Sequence, residues 1–307
     1  MAITGVMRAG YVQIRCTDVE ASIVHYRDRV GLSVVATGDD GRVYFKAYDE
    51  FDHHSIVLRP ADEPGMDFMG FKVRNDDDLT ELTDKLYDHG VQVDHLEPGS
   101  QPTLGRVVSF TIPAGHTIHL YTEMGTADKT PPLHNPDVWD EEPRGMRATR
   151  MDHCLLYGPN IAETVDLFTE VLGFELSEVV IAPDGSYIAP FLTCASKAHD
   201  VAFVHNDEPG IFHHVSFYLE SWNDVAHAGD VMSRYDIPVD IGPTRHGITR
   251  GQTIYFWDPS GNRNEVFSGG YIYFPDNPRR TWDAEQLGKG VFYVDRRLNE
   301  AFLNVYT

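Results

Sequence analysis

The sequence predicts an α+β fold of four β-α-β-β-β units, arranged as two paired-module domains, each a half-barrel sheet with helices outside. Three internal matches predict it. R-A-G-Y-V-Q-I-R-C-T-D-V-E-A from Arg8 lies on R-M-D-H-C-L-L-Y-G-P-N-I-A-E from Arg150, an offset of 142. M-D-F-M-G-F-K-V from Met66 lies on F-H-H-V-S-F-Y-L from Phe212, an offset of 146. G-R-V-V-S-F-T-I-P-A-G-H-T-I-H-L-Y from Gly105 lies on G-Q-T-I-Y-F-W-D-P-S-G-N-R-N-E-V-F from Gly251, again at 146. A small sheet covered by a helix on one face leaves its other face open. Two such sheets curved together enclose the kind of concave space that binds small ligands.

In chain order, the first unit opens with a strand near Arg8. Asp18 is the predicted N-cap of an amphipathic helix that ends at Gly31, because Asx favours the N-cap and glycine the C-terminal exit. The second unit begins near Met66 and continues into a helix near Asp76 to Asp88. It closes on the strands that follow Gly105. Residues 1–123 form the first domain. Residues 124–149 carry prolines at 131, 132, 136 and 143 without periodicity and read as a linker. The second domain spans 150–270. Asn160 is its predicted N-cap, with Glu163 three residues on resembling a capping box. Val165, Phe168 and Leu172 repeat at helical spacing before Gly173. The fourth unit has a strand near Phe212, a helix from Ser221 to Tyr235, and a hairpin over Thr253 to Phe267. The Asp258-Pro259-Ser260-Gly261 turn places Pro and Gly where a type I turn favours them. The tail, 271–307, is irregular at first. A helix is predicted from Asp295, with Leu298, Phe302 and Val305 as its apolar stripe.

Charge restricts the partners. The 307 residues carry 47 acidic and 25 basic side chains, a formal charge of −22. That argues against nucleic acid and against anionic membrane surfaces, both of which require a basic face. Three cysteines, Cys16, Cys154 and Cys194, make no disulfide framework and read as reduced thiols. The first residues lack the apolar core of a leader peptide, and no apolar run approaches a membrane span. The expectation is a cytoplasmic protein.

The duplication supplies its own control. Aligning the halves sets His153 against Tyr11, His214 against Phe68, Glu265 against His119 and Tyr255 against Ser109. One half therefore has His, His and Glu on three strands where the other half manages without them. A lone histidine is usually structural, but three potential ligands converging on one cavity point to a metal. Two histidines and a carboxylate make the facial triad of non-haem Fe(II) oxygenases. Alternation along the strand puts His214, Ser216 and Tyr218 on the cavity face. His213 then points away and reads as structural or exposed. Asp152, beside His153, reads either as an orienting partner or as a solvated acid. Tyr255 and Glu265 should stand opposite each other across the hairpin. Leu155 and Ile248, each two residues beyond a histidine of interest, are candidate walls of an apolar pocket, with Phe191 and Phe302 as further ones.

His246, followed after seven residues by I-Y-F-W-D-P-S-G-N-R-N-E ending at Glu265, resembles the signature of the type I extradiol ring-cleaving dioxygenases of the vicinal oxygen chelate superfamily. The resemblance extends over essentially the whole chain. A-D-E-P-G-M-D-F-M-G-F-K-V from Ala61 and S-K-A-H-D-V-A-F from Ser196 look like catechol 2,3-dioxygenase in particular. The resemblance implies Fe(II) held by His153, His214 and Glu265, with Mn(II) as the other ion such ligands accept. It places His199, His246 and Tyr255 beside dioxygen and substrate, with His199 in acid–base work, for which imidazole is suited near neutrality. It implies meta cleavage of catechol or methylcatechols by dioxygen to 2-hydroxymuconate semialdehyde-type products, in aromatic hydrocarbon degradation. It also implies a homo-oligomer, a tetramer. Three protein ligands on an octahedral ion leave three positions, two for a chelating diol and one for dioxygen. The alternative on the same fold is a glyoxalase-like metal-dependent lyase or isomerase, which needs an extra carboxylate ligand and no oxygen.

Overall fold

Four strand–helix–strand–strand–strand units build two mixed sheets in the computed structural model, which describes residues 5–307. Residues 1–4, part of the stretch read for a leader, lie outside the described residues. The first unit is β1 (Val6–Cys16), α1 (Val19–Val24), β2 (Ser33–Thr37), β3 (Val43–Lys46) and β4 (Ile56–Pro60). The second is β5 (Gly65–Val73), α2 (Asp76–Asp88), β6 (Val93–Leu96), β7 (Val107–Thr111) and β8 (Thr117–Tyr121). The third is β9 (Arg150–Gly158), α3 (Ile161–Asp166), β10 (Glu175–Ile181), β11 (Tyr187–Thr193) and β12 (Val201–His205). The fourth is β13 (Ile211–Tyr218), α4 (Trp222–Arg234), β14 (Val239–Arg245), β15 (Gly251–Trp257) and β16 (Arg263–Gly269). The tail adds β17 (Arg280–Asp283), α5 (Leu287–Val291) and α6 (Glu300–Asn304).

The sheets run β2-β3-β4-β1-β5-β8-β7-β6 and β14-β15-β16-β13-β9-β12-β11-β10-β17. Each is built on an antiparallel pair of opening strands, β1 with β5 and β9 with β13. The registers repeat as well. Gly70 pairs with Tyr11 and His119, and Ser216 pairs with His153 and Glu265.

Local signals act where predicted, with two departures. Asp18 accepts from the Ala21 amide, and Asn75 and Ser221 cap α2 and α4 in the same way. Asn160 does not cap α3. It sits at φ 53, in the left-handed region, and its amide donates to the Pro113 carbonyl at 3.3 Å instead. A contact between the halves has displaced the local cap. The helices after Asp18 and Asn160 finish as π-helical turns, His25–Val30 and Leu167–Val171, and exit through left-handed Gly31 and Gly173. In the tail, the helix begins at Glu300 rather than Asp295. Phe302 is buried while Leu298 and Val305 are exposed, so the apolar stripe is one residue. The tail also supplies β17, which extends the second sheet beside β10.

The two halves meet where strand and helix ends of the first touch the second, above all its last hairpin. Phe71 of the first sheet packs edge-on to Phe174, ring centres 5.2 Å apart. Tyr26 donates to Asp258 at 3.0 Å, and His25 Nε2 lies 2.9 Å from the Asn264 side-chain oxygen. Asn262 bridges back to the Arg15 carbonyl and the Gly65 amide. The first half thus clamps the hairpin that carries Tyr255 and Glu265. Among the described residues, no helix is long and apolar enough to cross a membrane.

Burial pushes the imidazoles of His54, His116 and His119 down to about 4. In the unfolded chain an imidazole titrates near about 6.5. As pH falls, the unfolded chain therefore takes up protons first. This contribution to stability is constant above about pH 6.5 and is lost between about 6.5 and 4, on the order of 2–3 kcal/mol per ring. Melting temperature against pH checks it, and a Tm that stays constant across that window would contradict neutral buried rings.

Candidate active site

Three adjacent strands of the second sheet, β16, β13 and β9, carry Glu265, His214 and His153. Ser216 is the register partner of both His153 and Glu265, so those two stand in one row across the sheet. His214 lies two residues along β13, beside a bulge between Phe212 and His214. All three side chains are buried, and their ligand atoms fall within 4.8 Å of one another. Glu265 Oε2 is 3.0 Å from His153 Nε2 and 3.4 Å from His214 Nε2.

The outer atoms of these groups are held. His153 Nδ1 lies 2.8 Å from Asp152 Oδ2. A carboxylate only accepts, so Nδ1 carries the hydrogen and Nε2 keeps its lone pair. Asp152 is buried rather than solvated, and Lys197 and Arg150 compensate its charge at 3.3 and 3.2 Å. Glu265 Oε1 accepts from Thr253 at 2.6 Å. His214 Nδ1 is 2.7 Å from His213 Nδ1. His213 is fully buried between strand and tail.

Glu265 Oε2 and His214 Nε2 are buried without a hydrogen-bond partner. An ionised carboxylate with an unsatisfied buried oxygen is costly unless a cation meets it. Burial acts to raise the Glu265 pKa, but His153, His214 and His246 override it and hold the carboxyl well below the usual range. The donor atoms and their convergence therefore fit a divalent metal bound by two imidazoles and a carboxylate.

The three other predicted site residues surround this point. The His199 ring stands 4.0 Å from that of His153 and is edge-on to Phe191 at 5.3 Å. Burial, then the neighbouring His153, pushes His199 well below the ordinary imidazole value, so it is a neutral base at pH 7. Tyr255 pairs directly with Glu265 across the hairpin. His246 Nδ1 donates to the Val291 carbonyl, so its Nε2 accepts from the Tyr255 hydroxyl at 2.9 Å. Burial and Glu265 keep that phenol protonated.

Leu155, Phe191, Ile248 and Phe302 all line the single cavity that these six polar residues face. Ile188, Leu287, Val291 and Leu303 are among the further apolar residues of its wall, and the sequence pointed to none of the four. Leu287 and Val291 lie on α5, whose two glycines give no helical signal. Thr253 was also missed, although its strand position two residues before Tyr255 puts it on the same face.

Comparison with known proteins agrees with this geometry. Residues 66–125 match the family model of catechol 2,3-dioxygenase-like N-terminal domains. Residues 150–266 match that of the glyoxalase/bleomycin resistance protein/dioxygenase superfamily. The chain is 52% identical to a metapyrocatechase of Pseudomonas sp. (strain CF600) over 304 residues, covering 99% of each. It is 26% identical over 296 residues to a manganese-dependent 2,3-dihydroxybiphenyl 1,2-dioxygenase of Geobacillus genomosp. 3, covering 94% of this chain and 93% of that one. The 2,3-dioxygenase LapB of Pseudomonas sp. KL28 superposes with a TM-score of 0.89 at 47% identity, over 92% of this chain and 99% of that one. The fold and site define an extradiol ring-cleaving dioxygenase, and the chain belongs to the catechol 2,3-dioxygenase (metapyrocatechase) family.

Replacing Asp152 by Asn removes the charge that fixes His153, and metal affinity should fall about 10- to 100-fold. Titration with a chelator-buffered metal series measures it; an unchanged affinity would leave Asp152 a structural acid only. The His119→Ala protein should bind metal at the wild-type stoichiometry despite a lower Tm. Loss of metal in that variant would overturn the comparison of the halves.

Proposed function

We propose that this dioxygenase cleaves catechol and methylcatechols at the ring bond next to the diol, using Fe(II) and dioxygen, to yield 2-hydroxymuconate semialdehyde-type products. The observation that carries the reading is the convergence of His153, His214 and Glu265 on one point of a mainly apolar cavity that His199, His246 and Tyr255 also line. The first three would hold the metal. When bound, the ion supplies the redox chemistry that lets triplet dioxygen react with a singlet diol.

The chain's own residues do the rest. His199, neutral, takes the second diol proton and returns it later in the reaction. The Tyr255 hydroxyl, oriented by His246, trades its bond to that ring for one donated to a substrate oxygen when the diol enters. A donor contact that strengthens in the transition state is worth ~2–4 kcal/mol. Leu155, Phe191, Ile248 and Phe302 seat the ring and exclude water, and a ring methyl meets only apolar surface there. Both oxygen atoms of one dioxygen enter the product, so no external reductant is consumed.

Fe(II) is the reading the resemblance supports; the ligand set also accepts Mn(II), and one relative is manganese-dependent by name. The same reading includes a homotetramer in the cytoplasm. Exposed apolar side chains such as Leu133, Val138 and Ile272 are surface that a second copy would cover. The glyoxalase-like alternative needs another carboxylate, and among the described residues none joins the triad.

Anaerobic loading with Fe(II) followed by aerobic assay on a catechol panel tests the proposal. One dioxygen should be taken up per catechol, with a yellow ring-fission product. Turnover without oxygen uptake would return the site to the lyase reading. His199→Asn should retain the metal and lose about 10²-fold or more in kcat; a wild-type kcat would remove it from proton transfer.

A further inference from the structure

The bulge in β13 brings His213 and His214 together, with their Nδ1 atoms 2.7 Å apart. At that distance the two nitrogens share one hydrogen. His213 Nε2 lies 2.8 Å from the Phe302 carbonyl oxygen and 2.8 Å from Arg263 Nη1. An acceptor and an obligate donor thus compete for one nitrogen. Two hydrogen arrangements are open to this group, the second once Arg263 draws back from His213. In one, Arg263 donates to His213 Nε2, the shared hydrogen sits on His213 Nδ1, and His214 presents Nε2–H towards Glu265 Oε2, 3.4 Å away. In the other, His214 keeps the shared hydrogen on Nδ1, its Nε2 lone pair is free, and His213 Nε2–H donates to Phe302. Arg263 Nη1 must then turn away from His213, and it keeps the Val305 carbonyl, which it already meets at 2.7 Å.

A metal at His214 Nε2 needs the lone pair and selects the second arrangement. We propose that His213 is a positioning residue that couples metal loading at His214 to the seating of α6, through the chain from His214 to His213 to the Phe302 carbonyl. The Phe302 ring lies against Tyr255, centres 4.7 Å apart, and forms part of the cavity wall. Loading the metal therefore tightens the wall against which the substrate packs. By reciprocity, a seated α6 raises metal affinity by the same factor. The inference rests on the reading of His214 as a ligand.

Hydrogen–deuterium exchange of residues 300–307, with and without Mn(II) or anaerobic Fe(II), tests the coupling. In the wild type, metal should slow exchange there severalfold, a comparison that needs no variant. His213→Asn keeps an acceptor near Nδ1 but is too short to reach Phe302. It should still bind metal, no more than severalfold more weakly, and lose the metal-linked protection. His213→Phe removes both bonds and should weaken metal binding about 10- to 100-fold. Equal exchange in the two wild-type states, or full metal-linked protection in His213→Asn, overturns the proposal. His214→Ala separates the two readings. Wild-type metal binding there sinks the ligand assignment itself. Lost binding there together with unlinked exchange in the wild type sinks only the coupling.

Discussion

A buried carboxylate with one free oxygen governs this molecule. Glu265 is fully buried; Thr253 binds one oxygen, and the other meets no donor. An isolated charge in that position would cost several kcal/mol. Two imidazoles converge on the free oxygen, and each is turned by its neighbour in sequence, Asp152 or His213. Burial acts to lower the His153 pKa, but Asp152 and Glu265 raise it. His214 moves the other way, to about 4, because burial outweighs the same carboxylate. The pair therefore offers one site for a positive charge and one neutral lone pair. A divalent ion satisfies both at once.

The other half of the chain shows what the scaffold does without that charge. At the equivalent row, Tyr11 bonds His119 Nδ1 at 2.8 Å, and the Phe68 ring stacks on His119 with centres 4.0 Å apart. Leu104, Val107, Tyr121 and Met124 pack around them. Rings and one hydrogen bond fill the space that the second half leaves open. The first half instead supports its copy, with Tyr26, His25 and the Arg15 carbonyl fixing the Asp258–Asn264 stretch. Duplication has separated a filled, supporting module from an open, polar one.

What could be read in the sequence followed from periodicity and from comparing the copies. The four units, the boundaries of α2 and α4, and the pairing of Tyr255 with Glu265 all rest on short-range signals that the packing leaves intact. His213 is structural and buried as one of its two readings has it, but it meets His214 where strict alternation turns it away, because a bulge cannot be seen in the strand's composition. Asn160 looks like a cap, but its side chain is drawn to Pro113 in the other half. The tail failed for a similar reason. Arg280–Asp283 and Leu287–Val291 carry little local preference and are fixed by what they touch.

That weakness is itself informative. A Cβ on Gly290 of α5 would press on the Ile248 side chain at 3.0 Å, and one on Gly247 would lie 2.9 Å from the Lys289 carbonyl. The close approach lets the Gly247 and Ile248 amides donate to the Gly290 carbonyl, and it brings the Val291 carbonyl to His246. Helical propensity worth about 1 kcal/mol per glycine has been given up for it. Next to this contact, Thr249 and Arg250 are held left-handed, at φ 58 and 62. Buried Glu178 anchors that strained turn through the Thr249 amide, and binds Tyr271 and Trp282 of the tail with the same carboxylate. The orientation of His246, and through it of Tyr255, is therefore set by the tail and not by the hairpin that carries the signature. The most recognisable residues of the chain depend for their geometry on its least recognisable segment.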